Sequence, residues 1–248
     1  MELPDFLKPL ETAIDNAKMQ SLQITSTPCD LEDLSPLQSS FLGTPYLPKD
    51  AVYPKDENGQ PMLMWAQINF AEIPALKDFP EKGILQFFLS PTEWTDMKDY
   101  KIIFWEDPSV KTALTTDFSF LTDDLFEECP INCPHSLHFE LIDNYGSPTD
   151  VRTQNIILLI GSDEISSEDE DVLYEFFDGT GHKLSGYAHF TQDDPRYKEA
   201  TKNDVLLLQI DTDTHITLGD SGVAHFFIPK EALLNKDFSK AWFNWDCY

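Results

Sequence analysis

Nine polar side chains have the type and setting to do chemistry: Tyr46, Asp50, Gln67, Gln86, Asp193, Arg196, Gln209, Asp220 and His225. Several of them interrupt strongly apolar runs, as Gln67 does in Trp65-Ala-Gln-Ile and Gln86 in Ile84-Leu-Gln-Phe-Phe. An amide or carboxylate in such a run either hydrogen-bonds a ligand in a cleft or satisfies backbone groups where strands meet turns. The most site-like short segment is Gln192-Asp193-Asp194-Pro195-Arg196. A guanidinium there can grip a carboxylate or phosphate through two parallel donors, or it can neutralise Asp193 or Asp194 locally. In Gly219-Asp220-Ser221-Gly222, the Asp220 carboxylate and the Ser221 hydroxyl are placed to cap backbone donors of a tight loop.

Named chemistries find little support. No Gly-x-Ser-x-Gly elbow is present, and a Ser221, His225, Asp220 trio is too close in sequence to be a convincing triad. Asp193, Asp194, Asp211 and Asp220 offer carboxylates for glycoside hydrolysis, but pairs of acids are cheap in this chain. Cys129-Pro-Ile-Asn-Cys133-Pro-His135 could bring two thiolates and an imidazole near zinc without a clear fourth ligand. The acidic stretch 161–171 lacks the glycine and final glutamate of a calcium loop, and the glycines match no nucleotide fingerprint. No cofactor is expected, and no metal ligand set is assigned.

The elements that must position the nine residues recur. Gly43-Thr-Pro-Tyr46, Gln67-Ile-Asn69 and Gly83-Ile-Leu-Gln86-Phe-Phe88 return in degenerate form as Gly186-Tyr-Ala-His189, Gln209-Ile-Asp211 and Gly222-Val-Ala-His225-Phe-Phe227. From Gly43 to Gly186, Gln67 to Gln209 and Gln86 to His225 the offsets are 143, 142 and 139 residues, so order is kept and only linkers drift. Asp50 then matches Asp193, Asn69 matches Asp211, and Tyr46 is replaced by His189.

Around these segments, apolar spacing predicts an amphipathic helix over residues 5–20 and short strands over 21–26, 62–70, 84–89, 100–105, 138–142 and 155–160. Residues 161–171 read as a solvated acidic insertion, and the aromatic end carrying Trp242, Phe243, Trp245 and Tyr248 as a segment packed on the body. The expectation is a strand-rich α+β fold with two degenerate copies of a β-containing motif and peripheral helices. It is read as a single domain over 1–248, with repeats near 43–89 and 186–228.

With 44 acids against 17 bases and a formal net charge of −27, nonspecific attachment to nucleic acid or anionic lipid is disfavoured. Neither an apolar run long enough to span a bilayer nor a secretion signal is found, so a cytoplasmic protein without membrane insertion is expected, its four cysteines reduced.

Taken together, Ser39-Ser-Phe-Leu-Gly-Thr-Pro-Tyr46, Ala66-Gln-Ile-Asn69, Gly83-Ile-Leu-Gln-Phe-Phe88, Gly186-Tyr-Ala-His-Phe-Thr-Gln-Asp-Asp-Pro195, Leu207-Leu-Gln-Ile-Asp211 and Gly219-Asp-Ser-Gly-Val-Ala-His-Phe-Phe227 resemble the YwqG-like family of bacterial proteins of unknown function. The resemblance implies a mixed fold with a duplicated motif and brings no catalytic residues. The leading expectation is a noncatalytic module that binds a small molecule or a basic protein, with Asp50, Gln67, Gln86, Asp193 and Gln209 bordering a cleft between the repeats. The alternatives are a small-metabolite enzyme using acids and histidines near 193–225, and an immunity-like protein that binds a basic toxin.

Overall fold

The computed structural model describes residues 3–109, 111–154, 156–157 and 166–248. Ten strands form one antiparallel sheet: β1 (Met19–Pro28), β2 (Ser40–Phe41), β3 (Leu63–Asn69), β4 (Ile84–Leu89), β5 (Tyr100–Trp105), β6 (His135–Asn144), β7 (His182–Ser185), β8 (Val205–Asp211), β9 (Val223–Ile228) and β10 (Trp242–Asp246). Their order is β10-β9-β8-β7-β1-β6-β2-β3-β4-β5. The long β1–β6 pair thus lies at the centre, with four strands on either side.

The two outer sets share one register. Gln67 pairs with Gln86 across β3 and β4, and Gln209 with His225 across β8 and β9. Each hairpin carries a bulge two residues before its glutamine, between Met64 and Ala66 and between Leu206 and Leu208. Strand side chains alternate with period two, and an extra residue reverses that alternation. Trp65 and Ala66 therefore both join the central core, as do Leu207 and Leu208, and Gln67 and Gln209 are sent to the opposite face. Ser40 and Lys183 each pair with the glutamine of the neighbouring strand, and their partners on the other side are Ser136 in β6 and Gln23 in β1. The point midway between those two within the β1–β6 ladder is the Thr25–His138 pair, about which the two sets are related.

The sheet coils until it nearly closes into a barrel. The inner faces meet at Phe87 and Phe226, whose rings lie 4.6 Å apart, and Tyr100 of edge strand β5 approaches Phe243 of edge strand β10 at 6.1 Å. Trp94 packs on Trp245, whose indole N–H donates to Thr95 O at 2.9 Å, so the aromatic C-terminal segment seals this seam. Both outer faces are covered as well. Met62, Met64 and Phe88 form a small core on one, and Ala188, Phe190, Leu206 and Phe227 form one on the other. That double coverage explains why all six residues of β4 and all six of β9 are buried.

Helices lie at the periphery. The amphipathic segment near the start is a 3-10 turn over Asp5–Leu10 followed by α1 (Glu11–Ala17), because Pro9 interrupts a continuous helix. The acidic stretch is helical from its first described residues: α2 (Ser167–Phe176) is capped by Ser166, whose hydroxyl accepts from Asp169 N. Residues of the first turns, α1 and α2 share a separate cluster around Leu7, Ile14, Leu173 and Phe177. Of the strand expected over 155–160, residues 155 and 158–160 lie outside the described residues, as do 161–165 of the acidic stretch; Ile156 and Ile157 are helical. A last short helix, α3 (Lys230–Leu234), follows β9.

The meeting of Phe87 and Phe226 predicts that either residue changed to Ala lowers unfolding free energy by about 3–5 kcal/mol in urea titrations. The double variant should lose less than the sum, because both substitutions open the same space.

Candidate functional site

Each outer face of the sheet is crossed by a long irregular segment, residues 42–62 over the first half and 185–204 over the second. Both begin with two consecutive left-handed residues, Leu42-Gly43 and Ser185-Gly186. A side chain at Gly186 would lie 2.6 Å from Asn144 Oδ1, so glycine is required there by space as well as by angle.

The glutamines hold these segments down. Gln67 Oε1 accepts from Tyr46 N at 2.9 Å, while its Nε2 donates to Pro36 O and Gln38 O. Gln209 repeats the arrangement, accepting from His189 N at 2.9 Å and donating to Gly179 O and Gly181 O. Gln86 Nε2 donates to Tyr46 O, and His225 Nε2 meets His189 O at 2.6 Å. A carbonyl only accepts, so His225 carries its proton on Nε2. The next slot differs: Tyr53 donates its hydroxyl to Met62 O beneath Phe88, and Arg196 donates Nη1 to Asp204 O with its guanidinium 4.5 Å from the Phe227 ring.

Arg196 is wholly buried and ion-paired to Asp150 and Asp194, both at 2.7 Å. Asp150 is paired again by Arg152 at 2.6 Å. Burial opposes ionisation of Asp150, but the two guanidiniums outweigh it and hold the carboxyl well below the usual range. This contribution to stability is present above the unfolded carboxyl pKa and is lost as pH falls. Nearby, Lys183 is buried with its ammonium on Gly179 O, and desolvation pushes its pKa down to about 8. His225 is also pushed down, to about 3, by burial. Its Nδ1 faces Asp246 Oδ1 at 3.9 Å, and neither atom has a hydrogen-bond partner among the described residues.

The nine expected site residues thus fall into separate groups. Tyr46, Gln67 and Gln86 form one internal network, Gln209 and His225 another, and Arg196 belongs to the ion cluster. Asp50, Asp193 and Asp220 are exposed on turns away from these networks. Gln67 and Gln209 do not face a shared cleft, because the bulges turn both onto outer faces. Arg196 is closed to an external anion by its two internal carboxylates. The Ser221, His225, Asp220 trio does not assemble: Ser221 sits exposed on a left-handed turn while His225 points at a backbone carbonyl. Cys29, Cys129, Cys133 and Cys247 are free thiols, and among the described residues no group of three His, Cys, Asp or Glu side chains is arranged to hold a metal ion.

Two pockets lie at equivalent ends of the two halves. The first, about 440 Å³, is bounded by Gly43, Leu63, Met64, Phe118, Phe126 and Cys133, and its only charged lining groups among the described residues are Asp123 and Glu127. The second, about 700 Å³, is a cleft between halves. Leu76–Phe79 of the β3–β4 connection form one wall, and the other is built from the start of β1, the Ser185-Gly186 turn, Asn203, Val205 and Lys230. The Lys230–Asp78 pair spans it at 3.4 Å. Among the described residues Lys18, Lys77, Arg152 and Lys230 line it against a single acid, Asp78, and none of the nine expected residues does. Sequence reasoning passed over these four bases because each stands alone; the one available signal was how few bases the chain has to place.

The chain belongs to the DUF1963 family, described as a domain of unknown function, whose model matches residues 39–247. This is a broader family that includes YwqG-like proteins. No curated protein matches the chain.

Replacing Gln67 or Gln209 with Leu should cost about 2–4 kcal/mol in chemical unfolding: the first change strands Tyr46 N, one amide proton of Gln86 and the carbonyls of Pro36 and Gln38, and the second strands His189 N and Gly181 O while Gly179 O keeps the Lys183 ammonium. Asp50→Ala, Asp193→Ala and Asp220→Ala should each stay within about 0.5 kcal/mol of the parent. Lys183 carries a pH dependence of the same sign as Asp150. Its folded pKa lies below the ordinary 10.5, so the unfolded chain binds more protons between about pH 8 and 10.5 and stability rises with pH across that window. Gly179 O keeps its bond from Gln209, so Lys183→Met should raise stability at pH 7 by about 1–3 kcal/mol and flatten the alkaline rise in a series of melts.

Proposed function

We propose that the chain is a noncatalytic binding module, a single domain of two copies of one β unit, that takes a small ligand in the cleft between the copies. The observation carrying this reading is the cleft itself. It falls in the usual volume range for small-molecule sites, and its walls come from both halves, so an occupant touches each. The duplicated-unit reading is supported by the shared register, the matching bulges and the repeated hydrogen bonds of Gln67 and Gln209. It places the cleft beside the Ser185-Gly186 turn and away from the polar residues that the sequence brings forward. The free thiols fit a reducing compartment such as the cytoplasm.

A second reading is favoured by the first-half pocket. Leu31 and Phe126 on its lining are 51% and 37% exposed, and Asp123 and Glu127 stand beside them. A basic protein presenting an apolar side chain fits that combination, which agrees with the net charge of −27.

The two readings separate in a fragment screen followed by methyl NMR. The cleft reading expects the responding signals to be those of Met19, Leu76 and Val205, and to fall silent in Asn203→Trp, where an exposed rim residue becomes an obstruction. Responses confined to Leu42, Met64 and Leu121 would move the site to the first-half pocket and end the cleft reading.

A further inference from the structure

We infer that the occupant of the inter-half cleft is a small oxyanion of two or more negative charges, of the phosphate or polycarboxylate type. The inference rests on the cleft being the ligand site and adds the chemistry of the ligand. A chain with 17 bases among 61 charged Asp, Glu, Lys and Arg residues places four of them, Lys18, Lys77, Arg152 and Lys230, on one concave surface. The equivalent pocket of the other half carries, among the described residues, two acids and no base.

The bases are incompletely neutralised. Lys77 is exposed and has no ion-pair partner among the described residues. Lys230 meets Asp78 at 3.4 Å, and Lys18 meets Asp143 at 3.0 Å, both pairs reaching solvent. Arg152 is anchored more firmly: Nε and Nη2 bind Asp150, and Nη2 also reaches Gly186 O. Its Nη1, however, finds among the described residues only the Met19 sulfur at 3.9 Å, a weak acceptor. The Tyr187 ring lies 5.0 Å from the same guanidinium and fixes its plane. An anchored guanidinium with donors to spare, ringed by three flexible ammonium groups, is a preorganised seat for an oxyanion. In the field of a strongly acidic protein, four bases on one concave surface favour an anion there.

Titration calorimetry with pyrophosphate and with citrate, each against sodium chloride at matched ionic strength, tests the assignment on the full chain. Saturable heats are expected for at least one of the two, and which one binds distinguishes a phosphate from a polycarboxylate source. Affinity should drop roughly tenfold or more in Lys18→Glu/Lys77→Glu and rise about threefold in Asp78→Asn, which retains a side chain tolerant of the left-handed backbone at that position. Lys198→Glu/Lys240→Glu, with the same net charge change outside the cleft, should leave it nearly unchanged. Thermal melts confirm that each variant is folded. Heats no different from chloride, or an unaltered affinity in Lys18→Glu/Lys77→Glu, overturn the anion assignment. If fragments still respond at Met19, Leu76 and Val205 in that case, the cleft reading stands without it; if those signals are silent too, both fall.

Discussion

The fold depends on what becomes of the peptide groups in the two long segments that cross the outer faces of the sheet. A segment without its own ladder leaves donors and acceptors that must be met where water is excluded. Gln67 and Gln209 meet them, each with one carbonyl oxygen and one amino group directed at three backbone partners. No apolar residue can do this, and a carboxylate would lack the donors. The bulge preceding each glutamine is the condition for it, since without the reversed alternation the amide would enter the aromatic core and a core residue would sit beneath the loop.

The halves then differ in how the next layer is fastened. The first is closed by edge-to-face aromatic contacts, with Tyr53 against Phe88 and Phe120, and by neutral hydrogen bonds. The second is closed by a cluster of Arg152, Arg196, Asp150 and Asp194, with Lys183 buried close by. Because Arg152 belongs both to that cluster and to the inter-half cleft, the cleft's charge is set by internal pairing as much as by its exposed lysines.

Much of the sheet was legible from alternation. Ile84–Leu89 and Tyr100–Trp105 read as strands because their apolar runs have strand length and strand composition. β6 is longer than its pattern announced, running His135–Asn144, since one of its faces is largely exposed and so polar. β7 was missed: His182-Lys-Leu-Ser has no alternation to show, and its buried lysine argues against a core strand until the Gly179 carbonyl is in view. The polar residues inside apolar runs stand out in the sequence, yet a buried amide reads the same whether it faces a ligand or a neighbouring loop. The cleft could not be read at all. Lys18, Lys77, Arg152 and Lys230 belong to four distant segments, and only the coiling of the sheet gathers them.

One consequence follows from the slot shared by Tyr53 and Arg196. A phenol with a backbone carbonyl to bind is complete within its own segment, whereas a guanidinium in the same place needs carboxylates from elsewhere, and one of them, Asp150, lies in the connection between β6 and β7. The polar group of the first slot is therefore satisfied within its own segment, and that of the second is tied to a remote part of the chain. Drawn as strands the molecule has two like halves; drawn as a wiring diagram, this one slot is a closed circuit in the first and has a lead running outside it in the second.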